Sequence, residues 1–372
     1  MTTVFPLNGA GMTTARDSVV IDIDRAKLLN RIRQFKHSRL PDGQLHEVFQ
    51  IRRKKGWDIR RAWEMLQDMT DSEVGKHTVR VLYRPFDVRW IFYHDSLVWR
   101  TAKRVMRHML RTNVALLWTR PMSPKYEFSC LCTYTVVDQC VVGNKSAGAG
   151  ISYCGPLRVY PDTSKDNLFS ELEESAERRP NLHPDLIPAL TDTYGFEPTP
   201  EDVFHYVYAV LYAPSYREKY AEFLKIDFPR VPFSADPELF RALAARGERL
   251  VALHLLESDD LNPPDAKFQG DGDDVVARTK AKGFRYEPDD ERVYINPTQY
   301  FEPVPQEVWE YQVGGYQVCH KWLKDRRERP LTLEETKTYA RIVRALARTI
   351  EVQEEIDALY PEAEREIVEL GL

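Results

Sequence analysis

A polar, charged stretch that contains Pro161 and Pro180, residues 161–182, divides the sequence into two parts with different secondary-structure signals. Before it, short runs of apolar residues broken by turn residues predict strands and short helices. After it, apolar residues recur at helical spacing behind N-cap residues. We therefore predict an α+β protein: a mixed first half (residues 1–160), a linker (161–182) and a more helical second half (183–372), with a cleft formed by the two halves.

Capping residues and apolar patterns give the individual elements. Asp24, the Thr199-Pro200 pair and the Asp236-Pro237 pair are predicted N-terminal signals of three helices, and Ser215 of a fourth. The predicted helices span residues 24–34, 57–69, 100–114, 201–212, 216–225, 236–256 and 333–359. The predicted strands span residues 4–5, 19–23, 114–118, 130–137, 157–160 and 292–296.

The composition favours a cytoplasmic protein. No stretch approaches the roughly 18–20 uncharged apolar residues that a membrane span needs, and residues 1–17 lack the pattern of a signal peptide. The five cysteines form an odd set without C-x-x-C spacing, which favours free thiols over a zinc site. These cysteines are Cys130, Cys132, Cys140, Cys154 and Cys319.

The charge is unevenly distributed along the chain. The net charge is −5, yet residues 25–61 carry twelve Lys and Arg against three acids. Residues 76–125 carry eleven Lys and Arg against two acids. Binding of a polyanion depends on the local field rather than on the total charge. The first half is therefore a candidate nucleic-acid-binding region.

Residues 100–114 are the most regular basic element. If they form one helix, the apolar side chains occupy one face and the basic side chains the opposite face. A solvated basic face is the alternative, but such faces usually mix acids with bases, and this segment has no acid. We predict that the basic face contacts DNA phosphates. Its residues are Arg100, Lys103, Arg104, Arg107 and Arg111.

A Gly-Gly turn is a second candidate phosphate site. Gly314 and Gly315 precede a helix that is predicted to begin near Tyr316, and a helix N-terminus offers free N–H groups to a phosphate. Lys321 and Lys324 lie one turn apart on the same predicted helix. The alternative is an ordinary turn followed by core residues.

Two further segments could contact DNA. Arg84 and Arg89 flank Asp87 and either bind DNA or form internal ion pairs with this carboxylate. The loop at residues 9–17 offers Thr13, Thr14 and Arg16, and residues 120–155 are rich in small polar side chains. We predict that polar side chains in these two loops contact base edges.

Short strings that imitate catalytic motifs lack the required context. Residues 262–265 begin like the Asn-Pro-Pro-aromatic motif of amino-methyltransferases but end in Asp, which cannot stack on an extruded base. The glycines of residues 268–272 do not follow an apolar strand, as a cofactor turn would. No nuclease cluster is evident, so we predict a chain without catalysis of its own.

Four segments of the chain are more distinctive: GMTTARD (11–17), YRPFDVRW (83–90), YAVLYAPSYREKYAEFLKIDFPRVPF (208–233) and WEYQVGGYQVCHKWLKDR (309–326). Together they resemble the C-terminal specificity region of type ISP restriction–modification enzymes. The resemblance runs in order from about residue 5 to residue 357. In that family one polypeptide joins a nuclease, a helicase-like ATPase, an adenine-specific methyltransferase and a target-recognition domain.

The resemblance implies a module that recognises a specific duplex DNA sequence and acts with a methyltransferase domain or subunit, in cis or in trans. S-adenosylmethionine and ATP are then expected in the neighbouring domains and no cofactor in this chain. The chain would be an excised domain, a truncated gene product or one subunit of a split system. The alternative is a protein-docking module with an aromatic surface formed by Trp57, Trp63, Trp99 and Trp118 and only incidental contact with DNA.

Overall fold

A computed structural model describes residues 1–51, 56–119, 128–143, 151–161 and 178–370. The strands are β1 (Gly9–Ala10), β2 (Ile21–Asp22), β3 (Thr78–Arg84), β4 (Asp87–Phe92), β5 (Ala115–Thr119), β6 (Cys130–Thr133), β7 (Val136–Val137), β8 (Ser152–Pro156), β9 (Arg158–Val159), β10 (Arg179–Pro180), β11 (Lys267–Gln269), β12 (Arg285–Glu287), β13 (Arg292–Tyr294), β14 (Tyr300–Glu302), β15 (Gln312–Val313) and β16 (Tyr316–Gln317). The helices are α1 (Asp17–Val20), α2 (Arg25–His37), α3 (Asp42–Val48), α4 (Ile59–Gln67), α5 (Asp71–Lys76), α6 (Lys103–Met106), α7 (Leu186–Tyr194), α8 (Pro200–Tyr212), α9 (Pro214–Lys219), α10 (Ala221–Leu224), α11 (Pro237–His254), α12 (Gln306–Glu310), α13 (Val318–Lys324), α14 (Leu333–Asp357) and α15 (Tyr360–Ala363).

The first half contains two small sheets with helices beside them. One sheet has the antiparallel order β1-β8-β5-β6, and the other has the order β2-β4-β3-β7, in which only β3 and β7 are parallel. All five residues of β5 are buried. The uninterrupted apolar run at the start of β5 is typical of a strand that is covered on both faces.

Long helices form the centre of the second half. Thr199 and Asp202 form a capping box at the start of α8, and the Asp236 carboxylate accepts hydrogen bonds from two backbone N–H groups at the start of α11. Helix α11 lies very close to α8 at Gly247, where an added Cβ would stand 1.8 Å from the His205 carbonyl oxygen. Helix α14, which also begins with a capping box, packs against both helices.

The two halves share one hydrophobic core. Buried residues from Met1 to Val368 belong to a single cluster. Polar contacts also cross between the halves: the Tyr212 hydroxyl donates to the Cys130 carbonyl oxygen at 2.8 Å, and the N-terminal ammonium donates to the Pro229 carbonyl oxygen at 2.8 Å. A third sheet with the order β11-β14-β13-β12 covers part of α14.

The predicted α+β class is confirmed, and so are most of the capped helices. Three local predictions are wrong. Residues 4–5 form a turn closed by a hydrogen bond from the Phe5 N–H to the Met1 carbonyl, and Val19 and Val20 belong to α1 rather than to a strand. Ser215 does not cap a helix, because α9 already begins at Pro214, whose fixed φ suits the first helical position.

The predicted helix at residues 100–114 is also wrong. Ala102 has a left-handed backbone (φ 50°), α6 is one turn long, and residues 107–110 form a 3₁₀ turn. Arg100 stays extended because its backbone N–H and carbonyl both pair with Thr13, each at 2.9 Å. A tertiary backbone pairing therefore overrides the helical periodicity.

The predicted linker at residues 161–182 is only partly visible, because residues 162–177 lie outside the described part of the chain. Its final residues are ordered: β10 pairs with β9, and Asn181 is buried. The five cysteines are free thiols. In the part of the chain that the structure describes, no helix has the length and apolar character needed to cross a membrane.

Candidate functional site

Exposed cations remain clustered although their predicted helix is broken. The side chains of Arg100, Lys103, Arg104 and Arg111 are exposed, and that of Arg107 is half-buried. The apolar residues between them, among them Val105 and Met109, are buried. The segment therefore anchors itself in the core on one side and presents cations on the other, as the sequence pattern indicated.

Two of these cations line a groove of about 590 Å³. Arg104 and Arg107 contribute to it from the first half, and Arg179 and His183 contribute from residues after the 162–177 gap. Among the residues that the structure describes, none that lines the groove is acidic. The other lining residues are Pro6, Leu7, His108, Val159, Pro180, Asn181, Leu182, Pro184 and Ile187.

Asn181 ties together the segments that build this groove. Its side-chain amide accepts from the Leu7 N–H at 2.9 Å and donates to the carbonyl oxygens of Leu7 and Pro156, at 2.7 and 2.8 Å. The Arg104 guanidinium donates to the carbonyl oxygen of Asn8, which follows Leu7 in the chain. These bonds fix the N-terminal segment between the two basic walls.

The other cations of the segment have different surroundings. Lys103 forms an ion pair with Asp95, and both side chains are largely exposed. The guanidinium of Arg111 lies 5.3 Å from the centre of the Tyr160 ring. An exposed ion pair such as that of Lys103 contributes little to stability, so this lysine can exchange its carboxylate for another anion at low cost.

The loop at residues 9–17 is held more tightly than the sequence indicated. Thr14 is buried and donates to Asp17, whereas Thr13 is half-buried. Arg16 is only 4% exposed, donates to the Leu97 carbonyl at 2.8 Å and lies 3.6 Å above the Trp57 ring. Burial lowers the pKa of Arg16 to about 10. Arg16 therefore supports the loop from inside the protein.

Arg84 and Arg89 form internal ion pairs, the structural alternative that the sequence left open. Arg84 binds Asp138 at 3.0 Å, and Arg89 binds Asp87 at 2.6 Å and Asp325 at 3.1 Å. Burial alone would lower the pKa of Arg89, but the neighbouring Asp87 carboxylate raises it above its ordinary value. Both guanidinium groups are mostly buried.

The same ion-pair network joins the two halves of the molecule. Asp87, at the start of β4, also binds Arg326 at 3.0 Å, and Arg326 binds Glu335 of α14 at 3.0 Å. Burial raises the pKa of Glu335, but hydrogen bonds from Arg329 and the Thr332 backbone outweigh it and bring the pKa to about 2. These charges are therefore committed to the internal architecture.

The Gly-Gly turn is a β-hairpin turn, not the start of a helix. Gly314 has a left-handed φ of +60°, and a Cβ there would stand 1.7 Å from the Val142 carbonyl oxygen. Tyr316 lies in β16, is buried and donates to the Cys140 carbonyl at 3.0 Å. The helix predicted to begin near Tyr316 is present, but α13 begins at Val318, directly after the hairpin strand β16.

The basic residues on this helix are not equivalent. Lys321 is half-buried and donates to Asp325, and burial lowers its pKa. Lys324 is exposed. Gly315 lies in the hairpin turn itself, half-buried between β15 and β16. Of the two lysines, Lys324 is therefore the one that an external anion can reach.

Sequence reasoning missed Arg179 and His183 as site residues because it placed them at the end of a linker or just beyond it. The basic pair Arg178-Arg179 before Pro180 was the available signal. Of residues 120–155, which were predicted to contact base edges, residues 120–127 and 144–150 lie outside the described part of the chain. Among the described residues, no group of three or more His, Cys, Asp or Glu side chains is placed to hold a metal ion.

The strings that imitate catalytic motifs lie in loops and short antiparallel strands. Asp265 forms an ion pair with Arg344 at 2.6 Å. Residues 267–269 form the three-residue strand β11, which pairs antiparallel with β14, and Gly270 directly after it approaches the Thr298 carbonyl. A parallel sheet with a glycine turn opening a helix, as a nucleotide-binding site requires, is not formed there.

Solved structures with the same fold include large restriction enzymes. A cryo-EM structure of a DrdV–DNA complex has a TM-score of 0.67 and 24% identity over 98% of this chain and 36% of that chain. A nuclease-deletion mutant of the Type ISP restriction–modification enzyme LlaGI, in complex with a DNA substrate mimic, has a TM-score of 0.64 and 16% identity over 95% of this chain and 33% of that one.

The ATP-dependent Type ISP restriction–modification enzyme LlaBIII, bound to DNA, has a TM-score of 0.70 and 17% identity over 95% of this chain and 23% of that chain. This chain thus spans about a quarter to just over a third of the length of these three proteins. At such identities the likeness concerns the fold.

The sequence family gives the more specific assignment. No curated protein matches the chain. The sequence profile of the Type ISP C-terminal specificity domain, in contrast, matches residues 3–355. This match covers nearly the whole chain and agrees with the four segments that carried the resemblance. The chain belongs to the family of Type ISP C-terminal specificity domains.

Proposed function

We propose that this chain recognises a specific duplex DNA sequence on behalf of a restriction–modification enzyme. The observation that carries the proposal is the groove lined by Arg104, Arg107 and Arg179, in which none of the described lining residues is acidic. Its electrostatics suit a polyanion. The family assignment and the DNA-bound state of three proteins with the same fold support the same conclusion.

In this proposal, phosphate contacts position the duplex and side chains on loops provide specificity. Arg100, Arg104, Arg111 and Lys324, whose side chains are exposed, would bind phosphates, together with the half-buried Arg107 of the groove. Thr13, which is half-buried and pairs with the backbone of Arg100, is the residue of the predicted set Thr13, Thr14 and Arg16 that stays partly accessible for a base edge. The buried Thr14 and Arg16 and the mostly buried Arg84 and Arg89 would support this surface rather than touch DNA.

We further propose that bond-making chemistry takes place outside this chain. The three proteins with the same fold are about three to four times as long as this chain, so most of each protein lies outside the shared fold. A methyltransferase domain or subunit would bind S-adenosylmethionine and receive the adenine of the recognised sequence. ATP would serve a separate motor domain.

The experiment measures how DNA affinity depends on salt. For the wild-type chain, log affinity should fall linearly with log salt, by about 0.9 per phosphate neutralised. Replacing Arg104 and Arg107 together by Gln should weaken binding of all duplexes similarly and make the slope shallower by about one to two.

The control for this variant is a thermal melt, because both side chains lie at the surface or half-buried and the fold should survive their replacement. A well-folded double variant with unchanged affinity and unchanged slope would assign this face to solvent or to a protein. The DNA proposal would then lose its main support.

A protein-docking module is the second candidate, and one observation favours it. Trp57 and Trp99 line a pocket of about 530 Å³ together with Asp58, Asp95 and Arg61, a mixture of aromatic groups and charges of both signs that suits a protein surface. Trp118, however, is fully buried and cannot belong to such a surface. Affinity for DNA that does not vary with salt would favour this candidate.

A further inference from the structure

We propose that the groove between Arg104 and Arg179 holds the backbone of a single DNA strand, with its phosphates bound by arginines on both walls. This inference rests on the proposed function and adds Arg179 to the phosphate-binding residues of the predicted basic segment. Arg179 was assigned no role by the sequence. The proposal therefore names a phosphate-binding residue from the region beyond the 162–177 gap.

The two walls offer guanidinium groups that can still bind an anion. Arg179 is exposed on β10, and among the described residues it forms no ion pair with a carboxylate. Arg104 is exposed, donates one hydrogen bond to the Asn8 carbonyl and likewise has no carboxylate partner among the described residues. A guanidinium carries five N–H donors, so Arg104 retains donors for a phosphate.

The lining and size of the groove explain why the occupant should be a strand and not an isolated phosphate. Apart from its arginines, the groove is lined mostly by apolar side chains, including Pro6, Leu7 and Val159. The volume of about 590 Å³ lies in the range of ligand clefts and far exceeds what one phosphate fills. A nucleic-acid strand supplies both features, because anionic phosphates alternate with the carbon-rich faces of its sugars.

Hydrogen bonds tie the segments that line the groove to one another, which favours binding without rearrangement. Asn181 lies next to Pro180 at the end of β10 and bonds to Leu7 in both directions. The backbone N–H of His183 also donates to the Val4 carbonyl at 3.1 Å. A groove built from backbone-anchored segments loses little conformational entropy when it binds a strand.

The test uses the whole chain with Arg179→Gln. We expect affinity for duplex DNA to fall by about three- to tenfold near 0.1 M salt, and the log–log salt slope to become shallower by about one, as for the loss of one phosphate contact. Arg278→Gln is the matched control. Arg278 is 68% exposed, lies outside the groove and should leave both quantities unchanged.

Three probes separate the outcomes: duplex DNA, inorganic phosphate and a poly-glutamate peptide. Wild-type chain that binds no duplex would overturn the proposed function itself. If the wild-type chain binds duplex and the Arg179→Gln variant has the same affinity and the same salt slope, only the proposal that the groove holds a DNA strand is overturned. Loss of poly-glutamate binding in Arg179→Gln with unchanged DNA binding would also overturn it and assign the groove to an acidic protein segment. Displacement of duplex by millimolar inorganic phosphate alone, at constant ionic strength, would show that the groove is an isolated anion site and contradict the strand.

Discussion

Gly314 shows how one residue can be essential to the fold for a reason that its neighbours in sequence do not reveal. Its positive φ disfavours a side chain, and the Val142 carbonyl oxygen leaves no room for a Cβ. From the sequence we predicted a glycine turn that leads directly into a helix and binds an anion at the helix N-terminus. The structure instead shows a hairpin turn packed against residues 140–143, a contact between segments about 170 residues apart.

Gly314→Ala should therefore be strongly destabilising. A left-handed backbone costs an alanine roughly 1–2 kcal/mol, and the close contact with Val142 should add about 1–3 kcal/mol. Gly195→Ala is the matched control, since Gly195 also has a positive φ (+71°) but nothing within 4 Å of the added Cβ. Urea unfolding measures both. Equal losses for the two variants would mean that the contact with Val142 does not restrict the turn.

At the scale of single elements, capped helices could be predicted and the basic segment could not. Thr199, Asp236 and Asp24 define helix starts through local hydrogen bonds, so local sequence is sufficient. The helical pattern of residues 100–114 is real, but the backbone pairing of Arg100 with Thr13 ends the helix early. Pairing between distant segments is not encoded in local periodicity.

The same limit applies to the arginines. Arg84 and Arg89 carry the same charge as Arg104, and only the positions of Asp138, Asp87 and Asp325 separate internal from accessible cations. The sequence raised Asp87 as an alternative partner because it is close in the chain. It gave no sign of Asp325, which is contributed by the other half.

Replacing Asp87 tests the ion pairs that join hairpin β3–β4 to the region of helices α13 and α14. The side chain is 1% exposed and pairs with Arg89 and Arg326. Asp87→Asn keeps the shape but leaves two buried cations without their shared carboxylate, so we expect a loss of about 3–5 kcal/mol in the free energy of unfolding. Glu334→Gln, in the exposed pair with Lys337, should cost less than about 1 kcal/mol. Similar small losses for both would show that the ion pairs of Asp87 contribute little.

At the scale of the whole molecule, the two halves share one core and the candidate groove is lined from both. The sequence-based division into a first half, a linker and a second half stays a prediction about domains. The position of the groove beside the end of the predicted linker could not be derived from the sequence. It depends on the pairing of β10 with β9 and on the hydrogen bond from Asn181 to Leu7. Both contacts join the end of the predicted linker to residues of the first half.

The most direct test of the account is selection of bound DNA from a pool of randomised duplexes by the whole chain. The account predicts that repeated selection converges on one short sequence. The Arg104→Gln/Arg107→Gln double variant should enrich the same sequence with lower yield, because phosphate contacts carry no sequence information. Salt-dependent binding that enriches no sequence after repeated rounds would contradict recognition and leave only a basic surface that binds DNA without preference.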